Sequence, residues 1–119
     1  MLKPILAVAT TLALAAAAIP HAGLKWSIPA KGAMVTAPKT ITLSFTEGVN
    51  LTGTAISILK PDSTLVEKLV VKATAGDTTV AGAVTKPLAP GNYLIRWKNV
   101  ASDDGHASTG VFGFMVMAK

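Results

Sequence analysis

The chain has 119 residues, half of them hydrophobic, with 11 basic and 6 acidic side chains and no cysteine. That length allows one domain. Without cysteine there are no disulfides, thiolate catalysis, zinc fingers, iron–sulfur clusters or cysteine-ligated blue-copper sites. The lysines are scattered and Arg96 is the one arginine. Positive charge therefore forms no run, and no nucleic-acid partner is expected. Weak basicity of this kind serves solubility, or attraction to an anionic membrane surface.

The opening residues read as a secretory signal. Lys3 supplies the charged region, Ile5 to Ala18 the apolar stretch, and small alanines follow. The stretch contains Thr10 and Thr11 and is shorter than the roughly 20 apolar residues of a membrane span. The expectation is a cleaved signal over 1–20 and one exported, soluble, monomeric domain over 21–119.

Beyond the signal the pattern is one of short alternating runs. Leu24, Trp26 and Ile28 alternate with Lys25 and Ser27 in a first strand that Pro29 stops. Lys31-Gly32-Ala33 is a turn. Thr40 to Thr46 gives the cleanest alternation, with Ile41, Leu43 and Phe45 inward, and Glu47-Gly48 ends it, leaving Glu47 at the rim. Thr54 to Lys60 alternates through Ile56 and Ile58 before Pro61-Asp62-Ser63. Leu65 to Lys72 reads as one β-branched strand, and Lys68 near its middle suits a sheet edge. Ala75-Gly76-Asp77 is a turn, and Thr78 to Thr85 a short, weak strand.

Leu88-Ala89-Pro90-Gly91-Asn92-Tyr93 has the spacing of a tyrosine corner. Tyr93 to Val100 then points Tyr93, Ile95 and Trp97 inward, and Val111 to Met117 is the last strand. Trp26 and Trp97 are expected in the core, as are Met115 and Met117, since methionine is a routine gap filler. No segment has a helical period. About seven short strands with frequent turn signals predict an all-β, immunoglobulin-like Greek-key sandwich or cupredoxin-like barrel.

The chemistry-bearing residues gather in Ser102-Asp103-Asp104-Gly105-His106. Asp104 and His106 are two apart, so on an extended or tightly turned backbone their side chains converge. Asp103 reads as a solvated turn residue. The other histidine, His21, stands where the signal would be cut. If cleavage follows Pro20, His21 has a free α-amine beside its ring and chelates through the amine and Nδ1. With His106 and Asp104 that makes two imidazoles, an amine and a carboxylate. Copper(II) takes such ligands in a tetragonal plane and zinc takes similar ones tetrahedrally, so ligand identity alone leaves both open. A cut after Ala18 would give Ile19-Pro20-His21. Pro20 lacks the amide hydrogen that an X-X-His chelate must lose, so the site requires His21 to come first.

The motifs His21-Ala22-x-Leu24, Pro29-Ala30-x-Gly32, Leu43-x-Phe45-x-Glu47, Leu88-x-x-Gly91-x-Tyr93-x-x-x-Trp97 and Asp104-Gly105-His106-x-x-x-Gly110-x-Phe112-x-Phe114-x-Val116 run in order along the chain. Together they resemble the CopC/PcoC/YobA family of periplasmic copper-resistance proteins. The resemblance implies the sandwich fold and tight copper(II) binding, with His21 giving amine and ring nitrogen, Asp104 a carboxylate oxygen and His106 the second imidazole. Glu47 matches a family carboxylate near the metal, as a weak axial ligand or an outer support. It further implies a CopD-like inner-membrane partner. Some members carry a methionine-rich copper(I) site; here only Met34, Met115 and Met117 follow the signal, and one copper(II) site is expected. A non-enzymatic carrier or buffer is the reading that results. Its alternatives are a histidine-brace copper oxygenase and a metal-free interaction module.

Overall fold

The computed structural model describes residues 22–118, so the expected signal over 1–20 lies outside the described residues. Nine strands form in chain order: β1 (Leu24–Ile28), β2 (Met34–Val35), β3 (Thr40–Phe45), β4 (Ala55–Leu59), β5 (Leu65–Lys68), β6 (Val71–Ala75), β7 (Thr79–Ala83), β8 (Gly91–Val100) and β9 (Ala107–Val116). The helical content among the described residues is one 3-10 turn, Leu51–Gly53, capped by the Asn50 side chain, which accepts the Thr52 amide. Two sheets result, a four-stranded one in the order β1-β3-β7-β6 and a five-stranded one in the order β2-β9-β8-β4-β5. All pairings are antiparallel except the short parallel contact of β2 with β9.

The core lies between the sheets and follows the period of two. Ile41, Leu43, Phe45 and Val80 face it from one side, and Ile56, Ile58, Tyr93, Ile95, Trp97, Phe112, Phe114 and Val116 from the other. Strand register aligns Ile58, Ile95 and Phe112 in one row across β4, β8 and β9. Phe45 and Trp97 bridge the sheets with ring centroids 5.2 Å apart. Truncating a fully buried isoleucine such as Ile95 in a core of this kind costs about 2–5 kcal/mol. The tyrosine corner forms as its spacing predicts: Tyr93 Oη donates to the Ala89 carbonyl at 2.6 Å, fixing the entry into β8.

Several expectations change. The run Leu65 to Lys72 is two strands, not one. β5 ends at Lys68, Leu69 is buried at the crossover with its amide on the Ile56 carbonyl, and β6 continues in the opposite sheet. A continuous β-branched run carries no mark of which sheet each half joins. The weak strand after Asp77 is instead β7, interior to its sheet, with Thr79, Val80 and Gly82 buried. The final strand starts four residues before Val111, at Ala107.

Trp26 and Ile28 are not core residues: Trp26 is 45% exposed and Ile28 more so. β1 is an edge strand, and its register slips between Leu24 and Trp26, so the alternation changes face after Leu24. Met115 and Met117 also leave the core, because Phe112, Phe114 and Val116 take the inward positions of β9. Met115 instead pairs with exposed Met34 in the β2–β9 register.

Glu67 on β5 ties this sheet to the chain leaving β7. Its carboxylate accepts the backbone amides of Thr85 and Lys86, each at 3.0 Å, and the Thr85 hydroxyl. Those donors, the Thr85 hydroxyl first, hold the carboxyl below its ordinary pKa despite opposition from burial. The ionised form therefore stabilises the fold above about pH 4 and loses that contribution as pH falls through the lowered value. Glu67→Gln is expected to lower Tm at pH 7, with the gap to wild type closing as pH falls through the lowered pKa; thermal unfolding across pH measures it.

Candidate metal centre

Antiparallel pairing brings four separated parts of the chain to one end of the sandwich. Leu24, at the start of β1, pairs with Phe45 at the end of β3, and Ser44 pairs with Thr79 at the start of β7. Val49 bridges Ala101, just past β8. The start of β1, the segment after β3, the β6–β7 turn and the β8–β9 loop thus share this end.

The segment 45–50 fastens the other three. Thr46 donates its amide to the Gly23 carbonyl at 2.8 Å, and Gly23 returns one to Thr46 Oγ1 at 3.1 Å. The Phe45 amide reaches the Thr78 carbonyl and the Val49 amide the Asp77 carbonyl, both at 2.8 Å. Ser102 donates to the Gly48 carbonyl at 2.9 Å and Asn50 to the Val100 carbonyl at 2.8 Å. Gly48 has to be small: a Cβ there would lie 2.3 Å from the Asp77 carboxylate and 2.9 Å from the Ser102 hydroxyl oxygen.

The loop 101–106 is closed on itself. The Ala101 amide bonds the His106 carbonyl at 2.9 Å, and the Gly105 amide bonds the Ala101 carbonyl at 3.0 Å. Gly105 makes this closure with a φ of 73°, in the left-handed region that a side chain disfavours. Asp104 Oδ1 accepts the His106 amide at 3.0 Å, and Asp104 Oδ2 stands 3.4 Å from His106 Nδ1. The spacing of two thus converges as expected, through a turn in which the carboxylate spans its own backbone. Both side chains are exposed.

Glu47 sits half-buried between Thr46, which holds Gly23, and Gly48, which holds Ser102. It shares the end of the sandwich with Asp104 and His106, and among the described residues no hydrogen bond or ion pair joins it to them. Asp103 is exposed in the turn. Among the described residues no three histidine or carboxylate side chains gather as a ready-made metal cluster. His21 lies outside the described residues; the chain becomes described at its neighbour, Ala22.

Ala22 is fully buried, and its carbonyl accepts a hydrogen bond from Asn99 Nδ2 at 2.8 Å. Asn99 occupies the inward position of β8 that follows Tyr93, Ile95 and Trp97. The sequence reading passed over it. An amide in the fourth place of an otherwise apolar inward series was the available signal.

The model of the CopC domain matches residues 24–117. The chain belongs to the CopC family. YobA of Escherichia coli K12 is 34% identical over 97% of this chain and 94% of its own length. Copper resistance protein C of Xanthomonas campestris pv. juglandis is 35% identical over 92% of this chain and 89% of its own. Among solved structures, CopC from Methylosinus trichosporium OB3b is similar with a TM-score of 0.74 and 30% identity, covering 82% of this chain and 94% of that one. PcoC of Escherichia coli, described as a methionine-rich copper resistance protein, has a TM-score of 0.65 and 27% identity, covering 82% and 99%. The expected sandwich is thus the fold of the CopC family, and copper resistance is the role named for Copper resistance protein C and for PcoC.

Replacing Gly105 by alanine puts a side chain in the left-handed region, at a cost of about 1–2 kcal/mol. Chemical denaturation of Gly105→Ala is expected to show a loss of that size, and faster amide exchange at His106 is expected with it.

Proposed function

We propose that this CopC-family protein is a periplasmic carrier or buffer of copper(II), binding one ion between the leading residue of the mature chain and the Asp104–His106 loop. The observation that carries the reading is the burial of Ala22 at the same end of the sandwich as Asp104 and His106, where Asn99 holds its carbonyl. A mature chain beginning at His21 would start one residue from that anchor. Its amine and ring, with the His106 imidazole and an Asp104 oxygen, make a nitrogen–oxygen set suited to tetragonal copper(II).

Charge supports the same end. Glu47, Asp77, Asp103 and Asp104 are four of the 6 carboxylates in the chain, whereas the basic residues are spread over the sheets and other loops. That polarity raises the local concentration of a cation. Glu47, half-buried at this end, would support the metal from the rim as an axial or outer group. The CopC family consists of copper-resistance proteins rather than enzymes, and a site filled by protein nitrogen and oxygen leaves no open position for a substrate. Delivery to a CopD-like inner-membrane protein, by a monomer, completes the reading.

Protein purified from the periplasm is expected to begin at His21 and to carry one copper per chain by intact mass. His106→Ala, or an extra residue ahead of His21, should weaken copper(II) by at least about 100-fold in a competition titration. Retention should fall below about pH 6, as protons compete for imidazole and amine nitrogen. Unchanged affinity in both altered proteins would overturn the reading.

A further inference from the structure

Asn99 is the polar exception in an apolar stack. It has 0% exposure, lies on the inward face of β8, and pairs in register with Ser108 of β9. One end of its amide is accounted for, since Nδ2 donates to the Ala22 carbonyl at 2.8 Å. The other end is not: Oδ1 is buried and has no hydrogen-bond partner among the described residues. A buried acceptor left unpaired is costly, and such groups are rare unless they await a partner.

We propose that Asn99 is the positioning residue for the leading residue of the mature chain. Nδ2 fixes the Ala22 carbonyl, and Oδ1 accepts an N–H hydrogen of the residue before it. The inference rests on the copper reading given above and adds a residue to it. A metal-bound primary amine spends its lone pair on the metal and keeps two hydrogens, both needing acceptors. Near buried backbone, a neutral amide oxygen meets that need without adding charge.

The amide is also specific to the task. Aspartate would set an oxygen against the Ala22 carbonyl and lose the donor, and leucine, of similar size, would lose both functions. Thr46 and Gly23 hold the chain from the β3 side by backbone bonds. Asn99 is the side chain that holds it from the β8 side. Ala22 and Gly23 are thereby held between the sheets, and the loop carrying Asp104 and His106 begins two residues beyond Asn99.

The test is a cycle on the chain beginning at His21 and on the same chain with one glycine added ahead of it, each with Asn99 and with Asn99→Leu. Without copper, heteronuclear NOE at Ala22 and Gly23 is expected to fall in Asn99→Leu while the remainder of β1 and β8 stays rigid. With copper(II) chloride, competition titration should show about 10–100-fold weaker binding for Asn99→Leu in the His21-first chain, with altered nitrogen hyperfine lines in EPR. No further loss is expected in the glycine-extended chain, which has already forfeited the amine. Equal losses in both chains, or unchanged NOE at Ala22, would overturn the proposal by making Asn99 a packing residue. If the glycine does not affect copper binding in the Asn99 protein, the copper reading fails, and the copper-free NOE still decides the role of Asn99. Asn99→Ser supplies the same contrast should the leucine variant not fold.

Discussion

The end of this sandwich that carries Asp104 and His106 depends on one short segment, Thr46–Asn50. With the last residue of β3 it exchanges backbone hydrogen bonds with the start of β1, the β6–β7 turn and the β8–β9 loop. None of those partners is close to another in sequence. Each bond is individually worth about 1 kcal/mol. Their effect is geometric: they lock three loops against the rim of one strand, so the positions of Ala22 and His106 are set by the same few residues. Gly48 permits the arrangement by leaving room for the Asp77 carboxylate and the Ser102 hydroxyl.

This explains how a domain with so few charges can assemble a polar site. The core stops at Phe45, Trp97 and Ala101, and polar groups begin immediately beyond it. Asn99 stands at that boundary, facing inward yet serving the backbone of the first described residue. Asp104 and His106 lie outside it, held by a turn that closes on itself rather than by burial. An exposed carboxylate–imidazole pair beside a buried interior margin suits the ion site proposed above.

Much of this was legible in the residues. Ile41, Leu43 and Phe45, and Tyr93, Ile95 and Trp97, repeat with a period of two and do face the core, because burial of one sheet face forces that pattern. The Asp104–His106 convergence follows from a spacing of two in a glycine turn. What the residues hid were effects of pairing. Nothing in Leu65 to Lys72 tells that the chain changes sheets at Leu69. The register slip in β1 sends Trp26 outward without a proline or glycine to announce it. Asn99 was hidden by the same reasoning that found its neighbours, since a period of apolar residues invites one to read past the exception.

The placement of the methionines has a chemical corollary. Met34, Met115 and Met117 lie outside the apolar interior, where Phe112, Phe114 and Val116 already fill the available space. Thioethers convert readily to sulfoxides under peroxide, a change that wrecks a hydrophobic interior when it happens there. At Met34 and Met117, both exposed, the added oxygen would meet solvent. A domain with the copper role proposed above could therefore absorb oxidising equivalents at exposed positions while its interior packing stays intact.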